Sequence, residues 1–69
     1  MKKEVGYKYT IKSLRVEAGL SQQGLAEALN ISQSAIAKWE LGKTEPTASM
    51  IILLAKYFKV TADYLLGLE

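Results

Sequence analysis

Residues 20–46, LSQQGLAEALNISQSAIAKWELGKTEP, read as two short helices joined by a tight turn. Ser21 is an N-cap candidate, because its hydroxyl accepts a hydrogen bond from an otherwise unpartnered N–H at a helix start. Leu25, Ala26 and Leu29 then fall on one helical face. Asn30 follows, and Asn is the residue besides Gly that most readily takes the left-handed conformation in which helices end. Ile31 is apolar, and Ser32 caps a second helix in which Ile36 and Trp39 face inward. Ser34, Ala37, Lys38 and Leu41 point away from them, and Gln33 lies at the exposed N-terminal end. Gly42 stops this helix at a C′ position, and Pro46 prevents it from resuming.

A turn this short forces two backbones together. Ala26 on the inner face permits the approach, where a larger side chain would hold the helices apart. The geometry is that of a helix-turn-helix, whose second helix enters the DNA major groove. An ordinary helical hairpin in a small all-α domain fits the same spacing.

The pattern S-Q-Q-x-L-A-x-x-L-N-I-S-Q-S-x-I-x-K-W-E-x-G-K-x-x-P resembles the phage-repressor/Cro-type, or XRE-type, family of helix-turn-helix DNA-binding domains, and the likeness runs from roughly Ile11 to Gly67. It implies an all-α fold, a compact five-helix bundle of the lambda-repressor-like type with helices 2 and 3 as the helix-turn-helix. Two positions depart from the pattern. Asn30 stands where the inter-helix turn usually carries Gly. Gly24 takes a helix-interior position usually held by a charged or straight-chain residue, at a cost of about 0.8–1.0 kcal/mol relative to Ala.

The resemblance also implies the roles of particular side chains. Gln33, Ser34 and Lys38 would touch base edges, with Ala37 close enough for van der Waals contact. One amide donor and one acceptor on Gln match adenine N7 and N6; Lys donates to guanine O6 or N7; an Ala methyl packs on thymine. Phosphate contacts would fall to Gln22 and the first N–H groups of its helix, to Ser21 and Ser32 at the two caps, and to Lys43 and Thr44 beyond the reading helix. Each of these is otherwise a solvated surface side chain. Arg15 would meet Glu40 in a bidentate bond that locks the reading helix to the first one. The rival role for Arg15 is an exposed phosphate contact.

Composition excludes several other chemistries. There is no histidine and no cysteine among the 69 residues, so imidazole catalysis, thiolate metal sites and disulfides are ruled out. No paired inward carboxylates or phosphate-cradling Gly-rich loop suggest an enzyme, and no metal or cofactor is expected. No apolar run nears the ~20 residues of a membrane span, and residues 1–10 lack the apolar core of a signal peptide. A cytoplasmic protein is the default. The net charge of +2 is weak support for a polyanionic partner. Its distribution says a little more: residues 1–15 hold five cations against Glu4 alone, whereas residues 21–46 carry a net charge of −1. Pattern rather than charge identifies the reading helix.

The flanks complete the bundle. Residues 1–6 read as a flexible basic arm, free to lie along a phosphate backbone or simply solvated, and residues 7–69 as the domain. Tyr7, Ile11, Leu14 and Ala18 form a helical stripe that Gly19 ends, although Val5, Tyr7 and Tyr9 also suit a short strand. Thr47 caps a helix over residues 48–58 with Ile51, Leu54, Ala55 and Phe58 on its core face. Lys59 ends that helix where the family often has Gly or Asn. Thr61 caps a last helix over residues 62–66, from which Leu65 or Leu66 returns to the core before Gly67.

A second apolar face on the fourth helix, Met50, Leu53 and Tyr57, is more than a surface helix needs. Together with Tyr64 and Leu68 it is the candidate surface for a homodimer. Family members usually place two reading helices on half-sites of a palindromic operator, about 34–36 Å apart. The competing role for this face is as core under Tyr7 and Tyr9. The implied function is sequence-specific binding of double-stranded DNA by a small transcriptional repressor. Activation, a restriction-system controller, an antitoxin, and an interaction module that has lost DNA remain consistent with the same sequence.

Overall fold

Hydroxyl caps start four of the five helices, and left-handed residues end all of them. The structure, a computed structural model, describes residues 7–68, with side chains from Thr10 onward. Its helices are α1 (Tyr7–Glu17), α2 (Gln22–Leu29), α3 (Gln33–Leu41), α4 (Ala48–Phe58) and α5 (Ala62–Leu65). The first-turn N–H groups of Gly24, Ala35, Met50 and Tyr64 donate to Ser21, Ser32, Thr47 and Thr61 at 2.9–3.2 Å. Residues 1–6, the expected basic arm, lie outside the described residues, as do the side chains of Tyr7 and Tyr9 proposed to cover α4. The backbone at Tyr7 and Tyr9 is helical, so the strand alternative fails there.

Each helix closes with the same pair of backbone bonds. After α2, the N–H of Asn30 donates to Glu27 O and that of Ile31 to Ala26 O; Lys59 and Val60 repeat this after α4, and Gly42 and Lys43 after α3. This is the Schellman arrangement, which needs one residue with positive φ. Among the described residues, those with positive φ are Gly19, Asn30, Gly42, Lys59 and Gly67, one per helix end. Leu20, Ile31 and Val60 follow three of them directly and pack on the core, adding the apolar contact typical of the motif. Lys59, at φ +60°, carries a β-carbon where the left-handed region disfavours one. Replacing it with Gly should raise stability by about 1 kcal/mol, read as a rise of about 4–8 °C in melting temperature for a domain of this size.

The core draws on every helix. Ile11 of α1, Leu25, Ala26 and Leu29 of α2, Ile36 and Trp39 of α3, Leu54 of α4 and Leu65 of α5 form one buried cluster. Helix α3 packs on both α1 and α2, and α5 bridges α1 and α4. Ala26 is buried at 1% exposure between α2 and its neighbours, as the close approach at the turn requires. Leu65, not Leu66, is the core residue of α5.

Several expectations need correction. Ala18 is exposed, because α1 stops at Glu17 and the chain turns through Gly19; Leu14 is half-buried. Gly24 does lie inside α2, as its third residue. A β-carbon there would lie 3.3 Å from the Ser21 hydroxyl oxygen that caps the helix, so the glycine leaves room for the cap. Met50 packs against the core cluster instead of standing on a spare face. Leu53 and Tyr57 are exposed, as are Tyr64 and Leu68, and Ile52 joins them at 54% exposure.

Candidate nucleic-acid interface

The starts of α2 and α3 lie side by side, joined by a chain of side-chain hydrogen bonds. Arg15 Nε donates to Glu40 Oε2 at 2.7 Å and Nη2 to Oε1 at 3.0 Å, the bidentate pair expected. Arg15 Nη1 donates to the carbonyl of Leu20 at 2.9 Å. Glu40 Oε1 also accepts from Gln22 Nε2 at 3.0 Å, and Gln22 Oε1 accepts from Gln33 Nε2 at 2.7 Å. An ion pair between α1 and α3 thus continues to the surface through two amides. The side chains of Arg15 and Glu40 are 12% and 5% exposed, which removes the reading of Arg15 as a solvated phosphate contact.

The Glu40 hydrogen bond, reinforced by its charge, raises the Arg15 guanidinium above its ordinary value despite desolvation. A cation with a raised folded-state pKa contributes stability that is complete below the unfolded value and fades as pH climbs through the folded one. The guanidinium half of the pair therefore stays charged through neutral and mildly alkaline pH.

Around this chain stand the other singled-out residues. Gln33, Ser34 and Lys38 are exposed on α3, while Ala37 is half-buried and turns only partly outward. Ile36 and Trp39 on the opposite side hold the helix to the core. Ser21 and Ser32 accept the capping N–H bonds, which leaves each hydroxyl hydrogen to donate; Ser32 Oγ lies 3.3 Å from Ser34 Oγ. Lys43 and Thr44 are exposed just beyond α3. Neither α2 nor α3 has an acidic residue in its first turn, so no carboxylate of either first turn repels an anion approaching the positive helix ends. Among the described residues no group of three or more His, Cys, Asp or Glu could hold a metal, and no helix is long and apolar enough to cross a membrane.

Sequence reasoning missed the two amide bonds. Gln22 and Gln33 each follow a capping Ser, so both occupy the first position of a helix; that shared placement was the available signal.

The sequence profile of the family described as Helix-turn-helix matches residues 11–65. The chain belongs to this family. It is 42% identical over 59 residues to the HTH-type transcriptional activator BcrR of Enterococcus faecalis, an alignment covering 86% of this chain and 29% of that protein. The chain spans between 26% and 55% of the length of the curated relatives it matches. Among solved structures, the P22 c2 repressor in complex with a synthetic operator superposes with a TM-score of 0.86 at 27% identity, covering 97% of this chain and all of that one. A transcriptional regulator from Listeria innocua superposes at 0.84 with 31% identity, covering 94% of this chain and 61% of the other. The lambda-repressor-like five-helix architecture and the phage-repressor-type resemblance are both upheld.

Proposed function

We propose that this chain binds double-stranded DNA sequence-specifically, with α3 in the major groove, and regulates transcription as a repressor that covers a promoter. One observation carries the reading: the exposed start of α3 presents Gln33, Ser34 and Lys38 while Ile36 and Trp39 seat the helix on the core. The same fold is seen in a repressor bound to its operator. Gln33, Ser34 and Lys38 read base edges, with the Ala37 methyl beside them. Ser21, Gln22, Ser32, Lys43 and Thr44 hold phosphates on either side. Such a protein works in the cytoplasm, on the nucleoid.

Selection of bound sequences from a random DNA pool, followed by affinity measurements over a range of salt, tests this reading. Gln33→Ala should cost about 1–3 kcal/mol on the selected site and relax preference at one position per half-site. Lys43→Ala should weaken all sequences alike and reduce the salt slope by about one. Two variants that lost affinity uniformly would end the division into reader and anchor, and no enrichment at all would end the function.

The protein acts as a homodimer on a palindrome, through Leu53, Tyr57, Tyr64 and Leu68. A single reading helix spans too few base pairs for a tight site, and large exposed apolar side chains mark interaction surfaces. Selected sites with two half-sites one helical turn apart support the dimer; single half-sites bound equally tightly by a sedimenting monomer refute it. Similarity to an activator supports activation as the second reading. A reporter whose output rises when the site lies upstream of the promoter would favour it over repression.

A further inference from the structure

We infer that Glu40, with a side chain only 5% exposed, determines which base Gln33 reads by fixing the direction of two amides in series. The inference rests on Gln33 being a base-edge reader. A carboxylate oxygen can only accept a hydrogen bond, whereas an amide side chain offers a donor at one end and an acceptor at the other. Gln22 therefore turns its NH2 toward Glu40, at 3.0 Å, and its oxygen toward Gln33. Facing an oxygen, Gln33 must turn its own NH2 inward, at 2.7 Å. Arg15 occupies both Glu40 oxygens from the other side, at 2.7 and 3.0 Å, and so prevents the carboxylate from rotating away. The direction of each amide follows from the one before it, starting at a single, nearly buried charge.

The consequence appears at the outer edge of Gln33. One N–H is used on Gln22, which leaves the second N–H and Oε1 to face the groove, with the N–H on the Gln22 side. Adenine presents N7 as acceptor and N6–H as donor in a set order. An amide held in the matching direction meets both groups. The reversed amide would set oxygen against N7 and N–H against N6–H, and lose both bonds. An unrestrained Gln33 would sample both directions and discriminate less. Glu40 is thus a positioning residue for specificity, acting through Gln22, in addition to its place in the ion pair.

Two substitutions break the series at different points. Glu40→Gln replaces the acceptor-only group with one that can present NH2 to Gln22, so neither amide is held in one direction. Gln22→Met leaves the Arg15–Glu40 pair intact and removes the intermediate link. Each variant, with its folding checked by circular dichroism, is put through selection from a random DNA pool beside the wild type and Gln33→Ala. Adenine enrichment at the Gln33-dependent position should fall about tenfold in both variants, with the other positions of the site unchanged. Loss of the Gln22 phosphate contact alone would weaken all sequences equally and leave that enrichment in place. Should Glu40→Gln fail to fold, the enrichment measured with Gln22→Met decides between these outcomes. Full adenine enrichment in the folded variants, with Gln33→Ala abolishing it, overturns the series and leaves Gln33 as the reader. Enrichment that survives Gln33→Ala overturns both, because another residue then reads the base.

Discussion

Arg15→Ala should lose about 3–5 kcal/mol of folding stability in the absence of any DNA. The size follows from what the substitution strands. Glu40 keeps only the Gln22 amide for its nearly buried carboxylate, and the Leu20 carbonyl loses the guanidinium that reaches it at 2.9 Å. Removing one partner of such a pair costs far more than the pair itself is worth, since the remaining charge stays desolvated. At about 4–8 °C per kcal/mol for a domain this small, the melting temperature should drop by at least about 12 °C. Chemical denaturation followed by circular dichroism gives the free energy directly. Arg15→Lys should recover only part of it, because an ammonium cannot bond both carboxylate oxygens and the Leu20 carbonyl with one planar fork. An unchanged melting temperature in Arg15→Ala would mean that the pair is not formed in solution.

Trp39→Ala should be comparably severe, at about 3–5 kcal/mol. Trp39 is 5% exposed in the cluster that joins all five helices, so truncating it opens a cavity where they meet. For a domain whose total stability is of the order of 5–15 kcal/mol, a loss of this size leaves a substantial unfolded fraction near physiological temperature. Operator binding should fall with the folded population, and protein excess should restore it. Urea midpoints are compared by circular dichroism, because the only tryptophan of the chain is the residue removed. Trp39→Phe should retain most of the apolar contact and lose clearly less. A midpoint within experimental error of wild type in Trp39→Ala would contradict the core placement.

What could be read ahead of the structure was local. The caps at Ser21, Ser32, Thr47 and Thr61, and the turns at Asn30, Gly42 and Lys59, each depend on a few consecutive residues, and each was placed correctly. The faces of α3 followed from period, apart from Ala37, which is half-buried and not fully outward. Arg15 and Glu40 lie 25 residues apart, and no local signal joins them; the family resemblance supplied that pair. For the bonds of Gln22 to Glu40 and Gln33 the sequence offers only the matching first positions of the two glutamines, because the bonds themselves depend on how α2 and α3 meet. Met50 failed for a related reason. A helical wheel divides α4 into two faces, but it does not show where the rest of the core lies, and Met50 on the second face packs against the core cluster. Ala18 failed because a stripe extrapolated by period ignores the turn that cuts it short.

The guanidinium of Arg15 bonds α3 through Glu40 and the α1–α2 turn through Leu20 while standing on α1. Three segments are therefore tied at one planar group, and α3 cannot open locally without breaking it. Its interior amides should exchange with solvent deuterium at rates set by global unfolding, not by fraying of a single short helix. The ordering of the reading surface then belongs to folding. Little of it remains to be opposed by association, so contacts made with a ligand surface are not offset by immobilising the helix that makes them.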